Sequence, residues 1–399
     1  MNARYNVWCK WHPLKTLILG DCYPVSFYRG IKNDRIKSAL TRITEETLED
    51  LAYYEKVLKD FGCDVLRPKI NQDLSIMDFV DNQDSLQCKI PRAPLQPRDW
   101  QFVLGNKLYI VGDDSNGEFR QLLSDYNKED MDDYTSVENS LDYTMPRDNY
   151  VAIAGENWPS YDDYLNQNFQ GVPEEILDEI KSFGWKCITV PPSSTLVGRD
   201  LYLDYAEGMT STSVQQHYMK SHPNLRINQL RIGGHSDGVF HTIKEGALLS
   251  LHNIQMYEKT FPGWDICYLP NQSWNLISGF STIKNKVGGK WWVPGEEDND
   301  EFTAFVETWL NDWVGYCEES VFDVNVLMLD EKHVCVNNYN ETAFAFFKKH
   351  NIEPIIVPCR HRYFWDGGLH CLTLDLYREG TMEDYFPDRV EGITDLGFD

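Results

Sequence analysis

A short unit recurs along this chain: an amphipathic helix, a residue suited to a left-handed backbone, a brief apolar strand and a proline. At residues 45–61 the apolar positions Leu48, Leu51, Ala52, Val57 and Leu58 fall at helical spacing. Gly62 follows as a C-cap, and 63–67 read as a strand closed by Pro68. The unit returns at 176–183, with Gly184 and a strand up to Pro191. A variant covers 343–349 and 352–358, ending on Pro358, where Asn351 stands in the glycine place. Further strands read at 14–19, 107–111, 201–203, 225–230, 239–243, 247–251 and 324–329. Strands alternating with helices define an α/β fold. No fixed-period sequence repeat accompanies the recurrence. A solenoid is therefore not indicated, while structural repetition without sequence repetition stays open.

The length of 399 residues suggests two or three domains by itself. Closed β/α architectures reach that size as single units, however, and no Pro/Ser linker interrupts the chain. One domain spanning 1–399 is expected. Residues 113–168 are rich in Asp, Asn, Ser and Tyr with little periodicity, and read as a long excursion or lid. A Trp-dense stretch at 264–313 carries an acidic loop at 296–300.

No run approaches the roughly 18 apolar residues of a membrane helix. The opening Met1-Asn2-Ala3-Arg4-Tyr5-Asn6 has no apolar core, so a soluble protein without a secretory signal is expected. Ten cysteines without a CxxC pair fit free thiols in a reducing, cytoplasmic compartment better than a zinc site or a disulfide framework. A formal charge of −25 argues against nucleic acid and suits a cationic substrate, though only weakly.

The chemistry gathers at glycine-marked strand ends. In Gly367-Gly368-Leu369-His370-Cys371-Leu372-Thr373-Leu374-Asp375-Leu376 two glycines deliver a thiol onto an alternating strand. Leu372, Leu374 and Leu376 then share a core face, and Cys371, Thr373 and Asp375 the other. The glycine pair permits a close backbone approach. A lone buried Cys is usually a small hydrophobe. Three companions shift that balance: Pro97-Arg98-Asp99-Trp100, Gly198-Arg199-Asp200, and Gly233-Gly234-His235-Ser236-Asp237-Gly238. Taken singly, a His beside glycines is a turn residue and an Arg-Asp pair is a local ion pair. Together they supply a thiol nucleophile, an acid/base group and carboxylates.

With these motifs the chain resembles the guanidino-group-modifying enzymes of the pentein superfamily, and within them the glycine/inosamine amidinotransferases. Asn325-Val326-Leu327-Met328-Leu329-Asp330-Glu331-Lys332, the Cys371 motif and the tail Asp375-Leu376-Tyr377-Arg378-Glu379-Gly380-Thr381 carry the likeness. So do Val7-Trp8 and the opening strand Pro13-Leu14-Lys15-Thr16-Leu17-Ile18-Leu19-Gly20. The match is weak at 113–170 and 255–315. The resemblance implies an α/β propeller of five ββαβ blades with pseudo-fivefold symmetry around a central active site.

It also implies roles. Cys371 is the expected nucleophile and His235 the single acid/base group. Asp99 and Asp237 are expected to hold the guanidinium, with Arg98 counted in the same substrate-binding group. The implied partners are a guanidine donor such as arginine and an amine acceptor, with a homodimer as the common assembly. No metal or organic cofactor is implied.

Two departures stand out. The family's histidine-orienting aspartate has no counterpart in Val190-Pro191-Pro192-Ser193-Ser194-Thr195-Leu196-Val197, which leaves Ser193, Ser194, Asp200 or Asp204 as substitutes, or an impaired site. The arginine that serves the amino-acid end of the glycine enzymes' substrate is replaced by Ile254, and Asp323 adds an acid nearby. Amidino transfer therefore competes with hydrolysis by the same Cys-His pair, and with a catalytically impaired binding protein.

Overall fold

The computed structural model describes residues 5–80, 90–110, 117–127, 137–138, 191–204, 218–219, 222–232, 235–251, 257–269, 293, 295–296, 298–310, 313–314, 323–392 and 396–397. The strands of the described residues fall into five small sheets, and one topology runs through all of them. In each, a central strand pairs antiparallel with one neighbour and parallel with the other.

The first sheet is split by sequence. Its leading strand, Thr373–Arg378, comes from the far end of the chain and pairs antiparallel with Leu14–Leu19, which pairs parallel with Asp64–Leu66. The second joins Gln101–Leu104, Lys107–Ile110 and Val137–Glu138. The third joins Ser194–Val197, Asp200–Asp204 and Arg226–Arg231, with Leu396–Gly397 added at its edge. The fourth is Phe240–Lys244, Ala247–Ser250 and Asp265–Tyr268. The fifth is Leu327–Met328, His333–Val336 and Glu353–Ile356. An antiparallel step needs only a tight turn, whereas a parallel step needs a crossover. Helices Asp34–Asp60, Gly117–Asn127, Tyr257–Thr260 and Glu341–Lys349 lie in four of those crossovers.

Several of these elements differ from the sequence reading. The first helix begins at Asp34 rather than 45, because the Asn33 side chain accepts the Arg35 and Ile36 amides and caps it. Its added turns bury Ile36, Ala39, Leu40 and Ile43 on the same face. Gly62 and Asn351 do take left-handed backbone, at φ 94 and φ 56. Of the unit expected at 176–191, Pro191 opens a 3-10 turn and everything before it lies outside the described residues.

The stretch from 113 is not simply an excursion: Gly117–Asn127 and Val137–Glu138 complete the second sheet's crossover. Phe119 and Leu123, one turn apart, join Leu108, Leu374 and Leu376 in a shared core. The rest of that stretch is outside the described residues. In the Trp-dense region the acidic loop opens a helix, Asp300–Trp309. Asn299 accepts the Phe302 amide there, and Asp300 and Glu301 complement the helix N-terminus.

The repeated topology positions the site. A single 3-10 turn leads directly into each of three leading strands: Pro97–Asp99, Pro191–Ser193 and Ser236–Gly238. These turns pack one against the next, and Pro97–Asp99 also packs on Thr373–Arg378. Asn325 and Cys371 hold the corresponding places before the leading strands of the fifth and first sheets. Five strand entrances carry the polar groups.

Candidate active site

Gly367 and Gly368 are required by close approach. A Cβ on Gly368 would lie 2.7 Å from Asn325 Oδ1 and 2.8 Å from its Cβ, and one on Gly367 would lie 2.7 Å from Gln96 Nε2. The space is used by Asn325. Its Oδ1 accepts the backbone N–H of His370 at 2.9 Å and of Cys371 at 3.1 Å. Its Nδ2 donates to the Asp237 carbonyl at 3.3 Å and reaches Cys371 Sγ at 3.1 Å. The Tyr54 hydroxyl, from the long first helix, donates to the Leu369 carbonyl. Leu374 and Leu376 share a core with Ile18 and Leu108, as the alternation predicts. Leu372, by contrast, still lies in the turn ahead of strand Thr373–Arg378 and packs in another core with Leu17 and Leu369.

Cys371 is 6% exposed, with Sγ 3.7 Å from Asp237 Oδ2. Burial pushes its thiol well above the ordinary range, and the charges of Asp237 and Asp99 push it further. The Asn325 amide and a backbone hydrogen bond at Gly368 act in the opposite sense. Asp99 is largely enclosed, its side chain 16% exposed, with Oδ2 3.6 Å from Arg92 Nη1. Burial raises its carboxyl, opposed first by His235 and then by Arg92. Cys371, Asp99, Asp237 and His235 are thus brought into one electrostatic neighbourhood.

His370 is the residue the sequence reading overlooks. It is buried, and its Nδ1 lies 2.6 Å from Asp237 Oδ2. Burial, then the charges of Arg98 and Lys10, hold its imidazole well below the ordinary histidine range. The neutral ring therefore donates Nδ1–H to the carboxylate and keeps a lone pair on Nε2. His241 packs edge-on against it at 4.8 Å. Its sequence signal is adjacency to Cys371 in the motif; what hides it is that Asp237 arrives from 133 positions away.

Arg98 is engaged with the protein itself. Its Nε donates to the His370 carbonyl at 3.1 Å and its Nη2 to Asp375 Oδ1 at 3.2 Å. Arg378 holds the other oxygen of Asp375 at 2.7 Å, and reaches the His12 and Met328 carbonyls. This ion triad braces the strand Thr373–Arg378 that follows Cys371.

The Gly198-Arg199-Asp200 motif sits at the hairpin turn, the opposite end of its sheet from the strand entrances. Asp200 is fully buried among Arg226 at 2.6 Å, Arg389 at 2.7 Å and Asn228 at 3.0 Å. It is consumed there and does not orient a site histidine. Asp204 accepts the Ile232 amide at 3.0 Å. Ser236 Oγ donates to the Pro192 carbonyl at 2.8 Å, fastening two of the strand-entrance turns together. Asp323 accepts from Asn340, the N-cap of helix Glu341–Lys349. Gly233, Gly234 and Ile254 lie outside the described residues. Among the described residues no group of three or more His, Cys, Asp or Glu is disposed to hold a metal ion. None of their helices is long and apolar enough to cross a membrane.

No family model matches the chain. A curated relative, the mitochondrial glycine amidinotransferase of Xenopus tropicalis, is 26% identical over 201 residues, spanning 47% of this chain and 38% of that protein. The L-arginine:L-lysine amidinotransferase of Pseudomonas savastanoi pv. phaseolicola is 34% identical over 70 residues, 18% of this chain and 19% of its own. Among solved structures, an amidinotransferase of the saxitoxin biosynthetic pathway from Microseira wollei superposes with a TM-score of 0.58 at 18% identity. That match covers 96% of this chain and all, 100%, of the other. The amidinotransferase resemblance thus appears in sequence over part of the chain and in fold over nearly all of it.

Proposed function

We propose that this protein is an amidinotransferase, moving an amidino group from arginine or a similar guanidine to an amine through S-amidino-Cys371. The observation that carries the reading is a buried thiol 3.7 Å from one carboxylate, Asp237, and within the field of a second, Asp99. Two carboxylates beside a thiol penalise the thiolate until a cation arrives. A guanidinium is a planar cation whose donor fork suits paired carboxylates. Its binding would offset both charges and bring its carbon against Sγ. Asp237 Oδ1, buried and without a hydrogen-bond partner among the described residues, is the acceptor left for it.

In the first half-reaction Sγ bonds to the guanidinium carbon. The thiol proton passes by way of His235 to the departing nitrogen, and the C–N bond to the amine breaks. In the second, the acceptor amine gives its proton to His235 and bonds to the same carbon. The C–S bond then breaks and the thiol is restored. In this reading the five units form a propeller whose strand entrances meet at the central site.

The test is incubation with arginine, with and without candidate amines, with products identified and the Cys371 peptide weighed. Ornithine plus a new guanidino compound is the expected result, with an amidino adduct on Cys371 and no turnover by Cys371→Ala. Citrulline and ammonia would assign a hydrolase instead. No adduct and no turnover across a guanidine panel would leave a binding protein.

A further inference from the structure

A cavity of about 50 Å³ beside the nucleophile turn has Lys10, Arg98, Asp237, His370 and Asp375 in its polar lining. Lys10 Nζ, Asp237 Oδ1 and His370 Nε2 are buried there without a hydrogen-bond partner among the described residues. Lys10 comes from the turn ahead of the first strand and is 8% exposed. A buried ammonium without a hydrogen bond is costly, and such lysines are held by charge balance or give up their proton.

The charges around Lys10 can be assigned. Asp237 and Asp375 favour its cation, Arg98 and Arg378 oppose it, and His241 and His370 are both held neutral, in part by Lys10 itself. Asp375 is already occupied by Arg98 and Arg378. That leaves Asp237 as the carboxylate balancing Lys10, and it is the same carboxylate that the proposed function gives to the guanidinium. One anion is asked to serve two cations.

We infer that guanidine binding at Asp237 is coupled to deprotonation of Lys10: the incoming guanidinium takes over the counter-charge, and the ammonium releases one proton to solvent and remains as a neutral amine. The inference rests on the guanidine reading of the site. Burial, opposed by Asp237, brings the Lys10 ammonium down to about 8, so a modest added positive charge discharges it near neutral pH. Because binding releases a proton, guanidine affinity rises with pH, by up to about tenfold per unit for full coupling.

The test uses the full chain carrying Cys371→Ala, which removes the thiol as a proton source. Arginine binding is followed by calorimetry at pH 8 in two buffers of different protonation enthalpy. The expected result is release of roughly a third of a proton or more per arginine bound. Adding Lys10→Met or Lys10→Arg should abolish that release while binding persists, weaker in Lys10→Arg, where the cation cannot be discharged. Lys10→Arg keeps the charge and serves where Lys10→Met does not fold. Binding without proton release, or release that survives both substitutions, overturns the inference alone. Absence of arginine binding to the Cys371→Ala protein overturns the guanidine reading and this inference with it.

Discussion

Asn325 holds Cys371 from two sides, accepting its backbone amide at 3.1 Å on Oδ1 and meeting its sulfur at 3.1 Å with Nδ2. The same Oδ1 accepts the His370 amide, so one side chain fixes the His370–Cys371 turn. Asn325→Ala orphans two buried N–H groups, each costing about 1–3 kcal/mol. It also withdraws the donor that favours the thiolate. We expect a lower midpoint of chemical unfolding together with a fall in kcat/KM of about tenfold or more, since 1.4 kcal/mol is a factor of ten. A variant as stable and as active as the parent would refute the bracing role.

Gly368→Ala attacks the same arrangement from the backbone. The new Cβ would stand under 3.0 Å from both Oδ1 and Cβ of Asn325, closer than real Cβ contacts come. Asn325 is itself tied to three backbone groups and cannot step aside cheaply. Overpacking of this kind costs about 1–3 kcal/mol. The expected outcome is a folded, destabilised protein with little activity, and Asn325→Gly in the same chain should recover part of the stability but not the activity. Unchanged unfolding of Gly368→Ala would show that the turn tolerates the atom.

The thiol's setting has a sign that alkylation can read. Burial, Asp237 and Asp99 raise Cys371, so at pH 7 to 8 without substrate it is almost wholly protonated and reacts slowly with iodoacetamide. Asp99→Asn removes one of the opposing charges and lowers the thiol's pKa. Labelling at fixed pH should then speed up, because a pKa lower by one raises the thiolate fraction about tenfold. Rates are followed on the Cys371 peptide by mass. Slower labelling in Asp99→Asn would mean that Asp99 does not act on the thiol through its charge.

What is legible in the chain, and what is not, follows from the range of the interactions. The shared face of Leu374 and Leu376 and the left-handed positions Gly62 and Asn351 are local properties that the sequence carries. Leu372 falls in the turn and packs elsewhere, because the strand begins only at Thr373. The helix at 34–60 reads short because Arg35, Lys37, Arg42 and the polar residues between them dilute its apolar face, although Ile36, Leu40 and Ile43 keep the spacing. The completion of the first sheet by Thr373–Arg378 joins the two ends of the chain, and no window of sequence contains it. The candidate site divides in the same way. Cys371, Asp99, His235 and Asp237 announce themselves as motifs, whereas Arg98 looks like a ligand until Asp375 is seen to hold it. Asp200 reads as a candidate for steadying a histidine because nothing local reveals Arg226 and Arg389 closing over it.

The Arg98–Asp375–Arg378 triad gives a prediction about stability. Burial alone would raise the Asp375 carboxyl, but Arg378 and then Arg98 overcome it and hold it well below the usual carboxylate range. A carboxyl depressed in the folded state contributes stability that is fully present above its unfolded value near 3.9 and lost as the pH falls toward the folded value. Asp375→Asn should therefore cost about 3–5 kcal/mol at pH 7, because Arg378, 1% exposed, is left buried without its anion. The variant no longer titrates at this position. The gap between parent and variant, read from urea midpoints at pH 7, 5 and 3, should hold between pH 7 and 5 and narrow by pH 3. A gap of the same size at pH 3 would show that shape rather than charge is what Asp375 supplies, and the triad would then be a packing element of the strand that follows Cys371.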